Sequence, residues 1–282
     1  MEIKEGIKVY VDKNIVGDRI LLSSGINRVD ILNGVACKNP TYIAAKPWRK
    51  PTDEESEILM ADKTDVSNFQ TIGLIRIPEN LANRFKRSGL ENCKSYKEIS
   101  SITAGDEYKQ VLRDTIHYYE KFALVKNSSI PHNVYLGDAN LINNTFNQKE
   151  KTFIGLHLDS FERDSATRES ARNRICINLG KEHRYLLFYN LTFDQMAEMC
   201  GMERVARNGN PYEILYAFFD RFNSYPVVRI QINPYEAYIA PTENMIHDGS
   251  TEGTTHPDVN IAIRGYFKIP QQRGIFSNLF KF

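Results

Sequence analysis

Short β-rich runs follow one another through the second half of the chain, and this pattern restricts the fold more than any other feature of the sequence. The runs are rich in Ile, Val, Leu and aromatic residues, and turn-forming residues separate them, as is typical of strands. The predicted strands span 153–159, 173–179, 184–191, 226–232, 235–240 and 259–269. Because helices do not alternate regularly with these strands, the pattern predicts an α+β, mainly β protein with a double-stranded β-helix (jelly-roll) core and flanking N-terminal helices.

The helices are predicted from amphipathic spacing and from helix-start signals. The clearest helix covers 105–125, where apolar side chains recur every three or four positions. Further helices are predicted at 78–86, 192–201 and 211–222. Thr192 and Gln195 have the spacing of a capping box, and Pro211 suits the first turn of a helix.

Length and hydrophobic content fit one domain. A chain of 282 residues with 41% hydrophobic residues can bury one sizeable core. We therefore expect a single domain over residues 1–282, in which residues 1–60 form a β-rich N-terminal extension. The Pro- and charge-rich stretch 46–57 is predicted to be an exposed loop.

Charge and cysteine content argue against several classes of function. The formal net charge of +1 gives no strong field for nucleic acid or for a membrane surface. The four cysteines are scattered without a C-x-x-C pair, so neither a zinc knuckle nor a disulfide framework is predicted. No apolar run has the length of a signal peptide core or a membrane span. We expect a cytoplasmic protein that acts on a small molecule and binds neither nucleic acid nor membrane; the sequence does not predict an oligomeric state.

A candidate metal site is visible in the segment Gly155-Leu156-His157-Leu158-Asp159, together with the distant His247. In a strand, His157 and Asp159 project from the same face, and Ile154, Leu156 and Leu158 form the opposite, core-facing side. Two imidazoles and one carboxylate are the ligand set that holds Fe(II) on one side and leaves the other positions open. The three residues therefore predict a non-haem iron site.

A second His-x-Asp match, His256-Pro257-Asp258, is a poorer candidate. Pro257 lacks an N–H and fits badly inside a paired strand, and no histidine follows to complete the ligand set. We expect this segment to be a loop.

An arginine in the last long β-rich run is a candidate anion-binding residue. Arg264 lies between isoleucine and phenylalanine, where a buried guanidinium is costly without an anionic partner. It can clamp a carboxylate through two hydrogen bonds, and Tyr266 on the same face can donate another. The alternative is that Arg264 is solvated or meets a structural Asp or Glu.

The sequence contains His157-x-Asp159, then the distant His247, then Arg264 on the last long strand. In this order of residues it resembles the Fe(II)/2-oxoglutarate-dependent oxygenases over residues 130–270, the predicted metal-binding core. The resemblance implies that His157, Asp159 and His247 bind Fe(II) and that Arg264 holds the distal carboxylate of the co-substrate 2-oxoglutarate. It also implies that O₂ is used to hydroxylate an unactivated C–H bond. Arg264 lies further beyond His247 than in many members. The Gly-, Ser- and Thr-rich segment 248–258 between them is predicted to be a mobile lid.

Other polar residues are weaker candidates for the same pocket. Asn178 and Arg174 share a strand face with Cys176, and Asn178 is predicted to face inward and contact the co-substrate. Arg174 faces either the substrate or solvent. The basic residues after the metal motif either form a solvated loop or recognise an anionic substrate; they are Arg163, Arg168 and Arg172.

Three functions are compatible with these residues. The first is a hydroxylase acting on a small polar metabolite, such as an amino acid or a biosynthetic intermediate. The second is an iron enzyme of the same fold that catalyses desaturation, cyclisation or epimerisation. The third is a non-enzymatic, cupin-like binding protein, against which stand the complete ligand set and the absence of His-x-His.

Overall fold

The computed structural model describes residues 1–62, 69–159, 168 and 170–270. Within these residues the chain is α+β and mainly β, as the sequence predicts. The strands are β1 (Lys8–Val11), β2 (Ile20–Leu22), β3 (Ile26–Leu32), β4 (Val35–Ala44), β5 (Thr71–Arg76), β6 (Ile130–Pro131), β7 (Tyr135–Gly137), β8 (Phe146–Asn147), β9 (Thr152–Phe153), β10 (Asn173–Asn178), β11 (Arg184–Phe188), β12 (Val228–Ile232), β13 (Glu236–Ala240), β14 (His247–Ser250) and β15 (Asp258–Gly265). The α-helices are α1 (Asp53–Leu59), α2 (Glu79–Ser88), α3 (Tyr96–Ala104), α4 (Asp106–Glu120), α5 (Phe193–Cys200), α6 (Glu203–Asn208) and α7 (Pro211–Arg221).

Two sheets carry most of the strands. The larger has the order β1-β5-β13-β10-β15-β6, and β7 also pairs with β15. The smaller has the order β14-β11-β12-β2. Neighbours in both sheets are antiparallel except for β1 and β5. Two separate hairpins, β3–β4 and β8–β9, complete the β structure of the described residues.

Side chains alternate along β10, so that one face of the larger sheet packs in the apolar core and the other lines a polar cavity. Ile175 and Ile177 are fully buried and pack with apolar residues of α2, α3 and α4. Arg174 and Cys176 project from the opposite face, as the period of two in a strand requires, and line a cavity. A second core cluster joins the smaller sheet to α5 and α7.

Helix-start chemistry is borne out where the sequence predicts it. Thr192 caps α5 and forms the expected capping box with Gln195, and Pro211 occupies the first turn of α7. The prediction of an exposed loop over 46–57 is only partly correct, because a helix begins within it. Thr52 and Glu55 form another capping box there, and α1 begins at Asp53.

The N-terminal sixty residues are built into both sheets. The strand β1 pairs with β5 in the larger sheet, and β2 pairs with β12 in the smaller one. The residues predicted to form an extension therefore help to build the main body of the protein. The last twelve residues of the predicted domain, 271–282, lie outside the described residues.

The segment between β14 and β15 does not form the free lid that its composition predicts. Thr251 and Thr254 are buried. The backbone amides of Thr255 and His256 donate hydrogen bonds to the Glu182 carboxylate at 2.7 and 2.6 Å. The segment is therefore anchored at both its buried and its exposed residues.

None of the described helices has both the length and the apolar character needed to cross a membrane.

Candidate metal centre

His157, Asp159 and His247 come together as the sequence predicts. One ligand atom from each lies within 4.8 Å of the other two, and among the described residues no other group of His, Cys, Asp or Glu side chains meets this criterion. Nε2 of His157 is 3.9 Å from Oδ1 of Asp159, and Nε2 of His247 is 3.7 Å from Oδ2. Three donors from two distant segments of the chain therefore converge on one point.

Backbone pairing holds the two histidines side by side. His157 and His247 exchange N–H···O hydrogen bonds of 3.0 and 2.8 Å in an isolated antiparallel bridge. The amide of Asp159 continues the contact by donating to the carbonyl of Thr242 at 3.3 Å. The ligands are thus fixed by main-chain geometry.

The predicted strand 153–159 is interrupted just before the ligands. Gly155 has φ +73°, and a Cβ there would lie 2.6 Å from the carbonyl oxygen of Tyr42. This left-handed conformation ends the regular strand at Phe153. On either side of Gly155 the predicted core residues differ. Leu156 is buried as predicted, but Ile154 is 36% exposed and does not join the core.

Both imidazoles have the tautomer that a metal needs. Nδ1 of His157 lies 2.8 Å from the carbonyl oxygen of Gly155, and Nδ1 of His247 lies 3.2 Å from that of Met245. A carbonyl only accepts hydrogen bonds, so each Nδ1 carries a proton, and the lone pair of the neutral ring is then on Nε2. The donor set therefore fits a divalent transition metal.

The electrostatics of the site favour neutral imidazole and ionised carboxylate. Burial lowers the pKa of His247 to about 3, although Asp159 opposes the shift. Burial alone would raise the pKa of Asp159, but Arg174 and the two histidines outweigh it and hold that pKa below its ordinary value. Both protonation states are those that ligate metals.

The candidate ligands face a cavity of about 510 Å³. This volume lies within the range of pockets that bind small molecules. His132 follows β6 and lines the cavity. Its backbone N–H donates a hydrogen bond to the carbonyl of Ala262 at 2.8 Å. Burial and the nearby Arg174 and Arg264 lower the pKa of His132.

Two of the predicted co-substrate residues, Arg264 and Tyr266, contact other side chains of the protein. Arg264 does not line this cavity; its Nη2 lies 3.3 Å from Oε1 of the buried Glu243. This contact matches the alternative in which Arg264 meets a structural Asp or Glu. Tyr266 lies just beyond β15, and its ring is covered by the guanidinium of Arg172 at 5.1 Å. Neither contact is to the candidate metal ligands.

Asn178 is buried as predicted, and its amide binds backbone groups of the protein; its contact with the co-substrate stays a prediction. Its amide nitrogen donates to the carbonyls of Glu182 and Ile232 at 2.9 and 3.0 Å. Its amide oxygen accepts from the backbone N–H of Gly180 at 2.9 Å. These hydrogen bonds fasten the turn that follows β10.

The other basic residues near the metal motif contact different groups. Arg174 Nη2 lies 2.7 Å from Oδ2 of Asp159, so it contacts the candidate metal ligand and also lines the cavity. Arg168 is buried and donates to the carbonyls of Asp159 and Glu243 at 3.2 and 3.0 Å. Arg163 lies outside the described residues.

Sequence reasoning missed the other arginine of the cavity, Arg184. It is buried at the start of β11, and its Nε lies 3.3 Å from Oδ1 of Asp258, the carboxylate of the second His-x-Asp match. Its Nη1 lies 2.9 Å from the sulfur of Cys176. The signal was the charged residue that opens the apolar run 185–188.

The second His-x-Asp match has no ligand role. His256 is exposed, and its Nδ1 lies 3.2 Å from the Glu182 carboxylate. Asp258 is not in a loop as predicted but is buried as the first residue of β15. Its Oδ2 accepts hydrogen bonds from Asn144 and Asn260 at 3.0 and 3.1 Å.

No protein-family model matches the chain, and comparison with curated proteins and with solved structures found no significant match. The geometry of the site is therefore the basis for assigning a function.

Proposed function

We propose that the protein is an Fe(II)- and 2-oxoglutarate-dependent dioxygenase that hydroxylates an unactivated C–H bond of a small polar metabolite. The observation that carries this proposal is the convergence of His157, Asp159 and His247 in the wall of one cavity. A 2-His-1-carboxylate set with open positions is characteristic of non-haem Fe(II) oxygenases.

The proposal includes a jelly-roll core. Its support is the pair of mainly antiparallel sheets, whose strands interleave in sequence: β10, β13 and β15 lie in one sheet, and β11, β12 and β14 in the other. The His157–His247 bridge extends the smaller sheet at the edge where the ligands lie. This arrangement delivers side chains from both sheets to the cavity between them.

Bound Fe(II), together with 2-oxoglutarate and O₂, would supply the oxidising power for attack on a C–H bond. The chain's own residues orient the reactants. His157 and His247 bind backbone carbonyls through Nδ1, which leaves Nε2 for the metal, and Asp159 offers a carboxylate whose pKa its surroundings hold low. The cavity walls would position the target carbon.

Arg184 is the better candidate for binding the distal carboxylate of 2-oxoglutarate. It lines the cavity that contains the metal ligands, whereas Arg264 does not. It is buried, and hydrogen bonds from two asparagines hold its partner Asp258 in place. A fixed guanidinium can grip a carboxylate through two parallel hydrogen bonds.

The test is succinate formation from 2-oxoglutarate by the full-length protein, with Fe(II) and O₂, in the presence of a panel of amino acids and related metabolites. Product mass identifies the acceptor. His157→Ala and His247→Ala are expected to abolish succinate release because each removes a metal ligand. His117→Ala, which changes an exposed histidine of α4, is the matched control and should retain full activity. Turnover by His157→Ala or His247→Ala at the wild-type rate would refute the assignment.

A further inference from the structure

A buried ion pair joins Arg174 to the carboxylate of the candidate metal site. Arg174 Nη2 lies 2.7 Å from Oδ2 of Asp159, and the two side chains are 19% and 9% exposed. Oδ1 of the same carboxylate lies 3.9 Å from Nε2 of His157. Oδ2 also lies 3.7 Å from Nε2 of His247. The guanidinium therefore pairs with Oδ2, while Oδ1 faces His157.

The position of Arg174 is imposed by the larger sheet. In the antiparallel pairing of β10 with β15, Arg174 lies directly opposite Arg264. Two like charges at paired positions repel each other, a cost that their acidic neighbours offset. Arg264 contacts Glu243 and Arg174 contacts Asp159, so the register directs one of the two guanidinium groups at the metal site.

A carboxylate can bind a divalent cation through one oxygen or through both. A guanidinium that forms an ion pair with one oxygen competes with the second mode of binding. In a site with three protein ligands, the remaining positions are those that substrates occupy. Whether Asp159 uses one oxygen or two therefore decides how many positions stay open.

We propose that Arg174 is a positioning residue that restricts Asp159 to one-oxygen ligation and so preserves an open coordination position. The inference rests on the metal-binding part of the proposed function, and it does not depend on the oxygen chemistry. It assigns to Arg174 a role that acts through Asp159, distinct from direct contact with substrate.

The test counts the water molecules on Mn(II) bound to the full-length protein, by measuring water-proton relaxation. In Arg174→Met the second oxygen of Asp159 is released. Relaxivity per bound Mn(II) should fall by about one third, since a six-coordinate ion with three protein donors has three open positions. Arg174→Lys retains a cation and should restore most of the wild-type value.

The matched control is Arg229→Met. Arg229 is also a mostly buried arginine with a carboxylate partner, Glu252 at 3.3 Å, but it is stacked between Trp48 and Tyr185. Its loss should leave the relaxivity unchanged. Circular dichroism of each variant checks that the fold is retained, and Arg174→Gln replaces Arg174→Met if the latter does not fold.

Two results would overturn the inference for a wild-type protein that binds Mn(II). One is an unchanged relaxivity in a folded, Mn(II)-loaded Arg174→Met or Arg174→Gln protein. The other is loss of Mn(II) binding in those variants, which would make Arg174 necessary for holding the ligand. A wild-type protein that does not bind Mn(II) refutes the inference together with the metal site. The expected fall in relaxivity without succinate formation would support the inference and refute the oxygenase proposal.

Discussion

Individual side chains at the site differ in how far the sequence reveals them. His157, Asp159 and His247 were predictable because a metal needs particular donor atoms, and few residue types supply them. Arg264 drew attention as a charge in an apolar run, yet its contact is with Glu243. Arg184 was missed because a charged residue at the start of a strand resembles a solvated one, and only the folded chain places Asp258 beside it.

Substitution of Arg184 and substitution of Arg264 are expected to affect co-substrate binding differently. Arg184→Met should raise the apparent KM for 2-oxoglutarate by roughly 100-fold, because removing one member of a buried charged pair costs about 3 kcal/mol or more. Arg264→Met should change the same KM by less than about threefold, since Arg264 contacts Glu243 and does not line the cavity. Steady-state kinetics at saturating Fe(II) measures both.

The control for Arg184→Met concerns its partner. Without the guanidinium, Asp258 keeps the hydrogen bonds from Asn144 and Asn260 but loses its counter-charge. The double variant Arg184→Met/Asp258→Asn removes the stranded charge and should recover part of the lost stability in urea unfolding, while KM stays high. A reversed ranking, with Arg264→Met the more damaging to KM, would return the co-substrate role to Arg264.

Secondary-structure elements were predictable where local chemistry decides them. The caps of α5 and the start of α7 depend on neighbouring residues, and both were correct. The end of the strand before His157 depends on Tyr42, which approaches Gly155 from a distant hairpin, so no local pattern shows it. The hairpin β3–β4 and the anchored segment 251–257 likewise depend on contacts between distant residues.

The segment 251–257 depends on the Glu182 carboxylate for part of its anchoring. Glu182→Ala removes the acceptor of the Thr255 and His256 amides. A hydrogen bond to a charged group contributes about 1.5–3 kcal/mol, so amide exchange in 251–257 should accelerate roughly tenfold or more. Hydrogen–deuterium exchange with mass spectrometry measures this. Glu198→Ala, on the exposed face of α5, should leave the segment unchanged; equal exchange in both variants would mean that the buried threonines hold it alone.

For the whole molecule, the fold class is predictable from the sequence, and the assignment of strands to sheets is not. The α+β, mainly β class follows from the pattern of β-rich runs, which is written along the chain. The assignment of each strand to a sheet is a consequence of long-range pairing: β1 and β2, from the first sixty residues, join different sheets. The polar cavity between those sheets exists only in the assembled fold, and the side chain of His247 is buried in its wall.

That burial predicts how the metal-free protein responds to acid. The pKa of His247 is about 3 in the folded chain, against an ordinary value of 6.5, so the unfolded chain binds a proton first as the pH falls. The stability that comes from neutral His247 is complete above about pH 6.5 and is lost progressively towards pH 3. Between pH 7 and pH 4 the loss should be roughly 3 kcal/mol. Urea unfolding in the presence of a chelator, compared with His247→Gln, isolates this contribution; the variant should lose correspondingly less. If the two proteins lose the same free energy over that interval, His247 is not held neutral by the fold.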